Sequence, residues 1–266
     1  MSKYLIIGAT GRSGVAIINS LLKVNENKIT IVVRNVTKAR EIFKNNYERL
    51  DKVEFEFGTN DNSSELEKAV FSADYIISAI GPTTKDNPLL SDYFSVKKMI
   101  EIAEKHHNLK KFIYVSSLLV TRPYHPFAFI LNSIIPYVLG YKALAENLFR
   151  KSKIDYIIVR PGGLTDKEEI NYVKIDQGDR MNGQISRATL AKFITDIINS
   201  QSSIKRTTID VISEKRDYVF ELPTLKEDNI EIDYITKDHF NATKNLTIIF
   251  YTILVIILIY LMNKFL

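Results

Sequence analysis

The sequence predicts an α/β fold: a single Rossmann-like, doubly wound parallel sheet followed by a C-terminal transmembrane helix. Three observations predict it. Strand-like apolar runs alternate with stretches of helical spacing from Tyr4 to Ile212, the pattern of a parallel sheet covered on both faces. A glycine-rich turn, Gly8-Ala-Thr-Gly11-Arg-Ser-Gly14, stands directly between the first strand and the first helix. Residues 246–262, LTIIFYTILVIILIYLM, carry no charge, proline or glycine.

The elements follow in order. Residues 4–7 form a short apolar strand that stops at Gly8. Val15, Ile18 and Leu22 share one face of a helix over residues 14–24. KITIVV at 28–33 is a second strand, and 37–46 its helix. Residues 53–57 are strand and 62–71 helix, with Asn62 or Ser63 as N-cap. Then come strand 74–80, helix 92–106 and strand 111–116. Residues 118–137, rich in proline and aromatics, read as irregular. Helix 141–151, strand 155–160, helix 187–199 and strand 207–212 complete the series. Runs such as YIISAI are apolar throughout, as strands buried on both faces are.

Composition narrows the field. Of 266 residues, 45% are hydrophobic and 25% charged, which excludes wholesale disorder. A single long apolar run excludes a polytopic membrane protein. The absence of cysteine excludes disulfides, iron–sulfur clusters, thiolate zinc and a cysteine nucleophile. No spacing of His and carboxylates suits a metal, so none is expected. The net charge of +5 comes from scattered side chains without an aromatic-interleaved stripe, so no nucleic-acid partner is expected.

The apolar run at 246–262 is long enough for a thin bilayer, since a span takes about 17–25 helical residues. Tyr251 and Tyr260 stand near its edges, and Lys244 and Lys264 bracket it. The N-terminal apolar run is too short for a signal peptide. The expectation is a single-pass C-terminal anchor with a cytosolic globular domain, in the mitochondrial outer membrane or endoplasmic reticulum. The expected domains are 1–213 for a nucleotide-binding unit, 214–245 for a polar linker and 246–262 for the anchor.

The glycine turn carries the binding chemistry. Gly8 permits the tight turn, Gly11 lets the backbone approach a pyrophosphate, and Gly14 lets the helix pack close to the strand. Thr10, Arg12 and Ser13 lie in the same turn, and the helix N-terminus offers unpaired N–H groups. An acidic residue ending strand two would bind the ribose 2′-hydroxyl of NAD; this strand ends Val33-Arg34-Asn35. Arg34, with Arg12 nearby, suits a 2′-phosphate, so the expected cofactor is NADP(H).

On these residues the sequence resembles the NAD(P)H-binding subgroup of the atypical short-chain dehydrogenase/reductase superfamily. The resemblance covers roughly residues 3–212. It rests on GATGRSG at 8–14, VVRN at 32–35, DYIISAIGP at 74–82, FIYVSS at 112–117, KALAENLFRKSKIDYIIVRPGGLTD at 142–166 and GQISRATLAKFI at 183–194. It implies a cofactor at the strand C-termini. Ala79, Ile80 and Gly81 would line the adenosine side, and Ser116 and Lys142 the nicotinamide side. Arg160, Pro161, Gly162 and Gly163 would form the loop after strand six.

The sequence departs from the superfamily pattern in two places. Typical members carry a Tyr four residues before the Lys, on the same helix face, as a proton donor. Val138 stands there, and Tyr137 and Tyr141 point away from Lys142 on a regular helix. Thr59 stands where an Asp often follows Gly58, with Asp61 as its substitute. Other polar residues read as structural: His106 and His107 as solvated helix caps, and Asp166, Glu168 and Glu169 as a solvated edge. His125, beside Tyr124, is a weaker candidate proton donor. The apolar stretch 126–140 reads either as a packed core helix or as an apolar segment that receives a lipid-like or large conjugated substrate as a lid, or rests on the membrane near the anchor. Two functions remain open. One is a membrane-anchored NADPH-dependent reductase of a conjugated, quinone-like or flavin-like acceptor, in which Ser116 and Lys142 position nicotinamide and substrate. The other is a non-catalytic NADP(H)-binding membrane scaffold, assembly factor or redox sensor, with a small-molecule or membrane-protein partner.

Overall fold

The computed structural model describes residues 1–57, 64–84, 86–200, 204–228 and 233–265. Central strands of a doubly covered sheet need apolar side chains at every position, and this chain supplies them. The strands are β1 (Lys3–Ile7), β2 (Lys28–Val33), β3 (Leu50–Glu54), β4 (Tyr75–Ser78), β5 (Lys111–Val115), β6 (Tyr156–Pro161), β7 (Gly163–Thr165), β8 (Asn171–Asp176), β9 (Gln184–Ser186) and β10 (Thr207–Asp217). The helices are α1 (Arg12–Leu21), α2 (Val36–Phe43), α3 (Ser64–Ser72), α4 (Ser95–Ala103), α5 (Pro126–Ile134), α6 (Val138–Lys151), α7 (Arg187–Asn199) and α8 (Asp233–Phe265). The main sheet runs β3-β2-β1-β4-β5-β6-β10-β8, and β7 pairs with β9 separately. On one face α1 and α7 pack through Ile17, Ile18, Leu190 and Ile194. On the other, α3, α4 and α6 pack through Leu66, Met99 and Phe149.

Several expectations change. The sheet is not wholly parallel: β8 pairs antiparallel with β10, from Asp176 opposite Asp210 to Asn171 opposite Asp217. β8 is a half-exposed edge strand, so its sequence NYVKID lacks the apolar run that marks a buried one. The expected boundary at residue 213 falls inside β10, whose burial fades only toward Asp217. β3 starts earlier than expected, at Leu50, and the stretch 118–137 contains helix α5. Thr59, Asp61, Asn62 and Ser63 lie outside the described residues.

The described residues of 214–245 do not form a free linker. Tyr218, Phe220, Leu222 and Leu225 pack against the core beside α7. Asp228 accepts hydrogen bonds from Thr208 N (3.0 Å), Thr208 Oγ1 (2.6 Å) and Tyr156 OH (3.0 Å). The start of α8 is buried at His239, Ala242 and Thr243. The Phe240 ring lies 5.5 Å from Tyr137 and 5.3 Å from Tyr141. Beyond Thr243 the helix leaves the domain. Among the described residues it is long and apolar enough to cross a membrane over Lys237–Ile257, with mean hydropathy 1.5.

A buried charge cluster ties α6 to the sheet. Glu146 is fully buried and accepts from Ser116 Oγ (2.6 Å), Arg150 Nη2 (2.9 Å), Arg160 Nε (2.9 Å) and Arg160 Nη2 (2.5 Å). Burial pushes its pKa up, but Arg160 and then Arg150 pull harder and hold it at about 2. Burial raises Asp210 to about 7, and Arg160 offsets that only in part. The two carboxyls therefore act in opposite pH windows. Glu146 stabilises the fold fully above its unfolded value of 4.5, and that contribution disappears as pH falls toward 2. Asp210 contributes most below its unfolded value of 3.8, and that contribution disappears as pH rises through about 7.

Removing the Glu146 carboxylate takes the nearest anion from two buried guanidinium groups, leaving Arg150 with Asp228 at 3.5 Å and Arg160 with Asp210 at 3.7 Å. Glu146→Ala is expected to cost about 3–5 kcal/mol in chemical unfolding of the full chain in detergent. Asp210→Asn is expected to remove its part of the stability decline between about pH 4 and 7, read from unfolding midpoints across that range.

Candidate functional site

Strand order reverses between β1 and β4, and open α/β sheets bind ligands at such a switch point. A cleft of about 380 Å³ opens there, at the C-terminal ends of the two strands. Its floor is backbone. Gly8 has φ of +77°, and a Cβ there would lie 2.7 Å from Ile80 N and 2.8 Å from the Ala79 carbonyl carbon. A Cβ on Gly14 would lie 2.2 Å from Gly8 O, and one on Gly11 3.2 Å from the same oxygen. The turn therefore presses directly on both the end of β4 and the start of α1. Gly11 is the N-cap of α1, no side chain caps it, and the first turn holds no acidic residue. Helix N–H groups and the positive dipole end are left for an anion. A cradle without Cβ atoms and with this polarity fits a dinucleotide pyrophosphate.

Of the residues singled out from the sequence, Gly8, Thr10, Gly11, Arg12, Arg34, Ala79, Ile80 and Gly81 line this one cleft. Ser13 and Gly14 stand behind it in the first turn of α1. Arg34 Nη1 donates to Asp86 Oδ1 at 3.0 Å. Asp86 is fixed in turn by Thr83 N (2.9 Å) and Thr83 Oγ1 (2.8 Å). Burial tends to raise the Asp86 pKa, but these bonds and the guanidinium outweigh it and lower it. Arg12 donates to Asp166 Oδ2 at 2.5 Å, and Arg187 donates to Asp166 Oδ1 at 2.6 Å. Asp166 is exposed, as expected of a solvated edge, and it also bridges the glycine turn to α7.

The other four residues lie off the cleft. Ser116 is buried on Glu146, as described above. Lys142 Nζ lies 2.8 Å from Asp92 Oδ1 in a buried ion pair. Burial raises the Asp92 pKa, and the Lys142 ammonium offsets this in part. Pro161 and Gly162 serve packing: Gly162 N donates to Val211 O at 2.9 Å, and a Cβ there would lie 2.5 Å from Gly183 O. Tyr137 and Tyr141 turn their rings to Phe240 rather than to Lys142. Below Lys142, the buried Tyr114 ring lies 5.5 Å from its Nζ. Burial, then Asp92 and Glu146, push the Tyr114 phenol well up, so it stays protonated. His106 is not a solvated cap: its Nε2 lies 2.9 Å from Ala73 O. His125 caps α5, its Nδ1 accepting from Phe127 N at 3.2 Å.

Sequence reading missed Asp86, Lys38, Phe55 and Phe57 on the cleft, and Asp92 and Glu146 behind it. Phe55 and Phe57 pack edge to face, 5.0 Å apart, and carry no motif. Glu146 did leave a signal. Lys142, Glu146 and Arg150 recur every four residues and so form a charged stripe on one face of a buried helix.

The sequence model of a family described as NAD(P)H-binding matches residues 8–201, well over half of the chain. An uncharacterized chloroplastic protein of Arabidopsis thaliana is 29% identical over 229 residues, 81% of this chain and 80% of that protein. Protein TIC 62 of rice, also chloroplastic, is 27% identical over 231 residues; these are 79% of this chain but only 46% of that protein. A short-chain dehydrogenase/reductase from Veillonella parvula, solved in complex with NADP, superposes with a TM-score of 0.64 at 24% identity, covering 81% of this chain and 96% of that one. The ChuY anaerobillin reductase of Escherichia coli superposes with a TM-score of 0.66 at 22% identity, covering 81% and 99%. At these identities the structural likenesses establish the fold.

The glycine geometry makes a paired prediction. Gly14→Ala places a methyl 2.2 Å from Gly8 O and is expected to abolish NAD(P)H binding by calorimetry. Gly163→Ala, away from the cleft lining, adds a methyl in ordinary contact with Gln184 Cγ at 3.4 Å and is expected to leave binding intact.

Proposed function

We propose a function from one premise: this chain belongs to the NAD(P)H-binding family, among the atypical short-chain dehydrogenase/reductase proteins. On that premise it is a membrane-anchored oxidoreductase that takes NADP(H) and reduces a conjugated, quinone-like or flavin-like acceptor. The observation that carries the reading is Arg34. It directly follows β2 on the cleft wall, where an acidic side chain would select NAD, and Arg12 stands on the same cleft. A planar guanidinium suits the oxygens of a 2′-phosphate.

The reduced nicotinamide, when bound, supplies a hydride. The chain's own residues do the rest. The Gly8–Gly14 backbone and the N-terminus of α1 hold the pyrophosphate, and Arg34 and Arg12 hold the 2′-phosphate. Behind the cleft, Lys142 and Ser116 are fixed by Asp92 and Glu146 and position the far end of the cofactor. Val138 stands one helical turn before Lys142, where the usual Tyr would be, and the neighbouring Tyr137 and Tyr141 pack on Phe240. A simple ketone needs a protein acid as hydride arrives. A quinone, flavin or extended conjugated system spreads the negative charge and takes its proton from water. The fold houses a reductase in the E. coli anaerobillin protein, and the present reading puts this chain in the same broad class. Residues 246–262 of α8 span about 26 Å at 1.5 Å per residue, enough for a thin bilayer.

One observation favours the second reading, a non-catalytic NADP(H)-binding scaffold: both Lys142 and Ser116 are engaged in buried pairs. Turnover separates the two. The reductase reading expects NADPH consumption by the full chain with a quinone or flavin acceptor; binding without consumption by any acceptor class assigns the scaffold. For the cofactor, Arg34→Asp is expected to weaken NADPH binding about ten- to a hundredfold and leave NADH nearly unchanged. Equal losses for both nucleotides would remove Arg34 as the selector.

A further inference from the structure

Helix α5 is amphipathic the wrong way round for a soluble domain. Its inward face is small or polar: Ala128 and Asn132 are buried, and Asn132 Oδ1 accepts from Leu139 N at 3.3 Å. Its outward face carries the large apolar side chains. Phe127, Ile130, Leu131 and Ile134 are 62%, 47%, 39% and 57% exposed. Their spacing of three, four and seven residues makes one continuous stripe. Tyr124, 69% exposed, precedes the stripe. A helix of a soluble domain turns such a stripe inward; turned outward, it marks an interaction surface.

The position of the stripe identifies what covers it. The helices packed against α8 are α5 and α6, and the contact on α6 is its first turn, where Gly140 and Tyr141 meet Phe240. Among the described residues, the last buried one in α8 is Thr243, and the uncharged run begins at Leu246. Three residues of helix rise about 4.5 Å. No spacer separates the domain from the apolar run, so the surface around the exit of α8 lies within about one helical turn of any bilayer it enters. The exposed Lys244 stands at that level, where a basic side chain reaches headgroups.

We propose that α5 is an interfacial helix: it lies in the membrane plane and buries its Phe127–Ile134 stripe at the boundary between headgroups and acyl chains, beside the α8 anchor. The inference rests on the anchoring reading of α8, and the two are tested by separate reporters. With two membrane contacts rather than one, the domain cannot swivel about α8, and the face bearing the start of α6 is held toward the bilayer.

The chain contains no tryptophan, so a single introduced one reports without background. Full-length Phe127→Trp and Ile256→Trp are each reconstituted in phosphatidylcholine vesicles brominated either near the headgroup or deep in the acyl chain. The expected result is Phe127→Trp quenched by the shallow bromine and Ile256→Trp by the deep one. Ile256→Trp quenched beside a water-exposed, unquenched Phe127→Trp overturns the interfacial helix while the anchor stands. A blue-shifted but unquenched Phe127→Trp also overturns it, because a second copy of the chain then covers the stripe. Shallow quenching of Phe127→Trp with no quenching of Ile256→Trp upholds the interfacial helix and overturns the crossing. Absence of quenching in both variants overturns both.

Discussion

The interaction on which the rest of this structure depends is the one centred on Glu146. A carboxylate with no access to water holds two guanidinium groups and a hydroxyl, each from a different part of the chain. Ser116 follows β5, Arg160 lies in β6, and Arg150 reaches Thr208 of β10 at 3.0 Å. Through Thr208 and Asp228 the cluster extends to the segment that leads into α8. None of these charges has an alternative partner in water, so the cluster forms as a unit or leaves bare charge in the core. It fixes α6 against the sheet in rotation as well as position. That sets Lys142, one turn earlier on the same face of the helix, against Asp92.

The same rigidity appears at the cleft in a different form. There the constraint is steric: Gly8 and Gly14 leave no room for a Cβ and Gly11 leaves little, so the turn, β4 and α1 approach until backbone meets backbone. Above that floor the arginines are held by carboxylates. Asp86 holds Arg34 and Asp166 holds Arg12, which sets the fork of each guanidinium at the rim. These pairs are exposed and add little to stability. Their effect is on direction, and for a bidentate ligand direction governs affinity.

The parts legible in the sequence are those whose signal is local. β1, the glycine turn and α1 read correctly because turn chemistry and apolar spacing lie within a few consecutive residues. α7 matches its expected bounds because Ser186 caps it, its hydroxyl accepting from Thr189 N. Eight of the residues that the sequence assigned to a cofactor meet on one cleft. What stayed hidden depends on distant partners. β8 is a strand only because β10 pairs with it. Residues 218–228 look polar enough for a linker, yet Asp228 is bonded to Thr208 and Tyr156, and Phe220 packs 6.3 Å from the Phe193 ring. Ser116 and Lys142 were found by position, but their partners, Glu146 and Asp92, come from separate elements, and only the folded chain brings them together.

The first turn of α6 joins the chemistry to the tail. In the usual arrangement of the superfamily this turn carries the phenol that acts with the Lys. Here Val138 is buried, Tyr137 adopts φ of 65° at the N-cap, and both neighbouring phenols pack on Phe240 of α8. Gly140 extends the accommodation, since a Cβ there would come within 3.3 Å of the Phe240 ring. The turn that would donate a proton thus docks the C-terminal helix instead, and a side chain packed on that helix cannot also face a nicotinamide. The turn's substitution by Val138 and its docking of the tail are one structural arrangement. On the reductase reading proposed above, it suits acceptors that need no protein acid. On the anchoring reading it also sets the chemistry beside a bilayer, where apolar, conjugated acceptors partition.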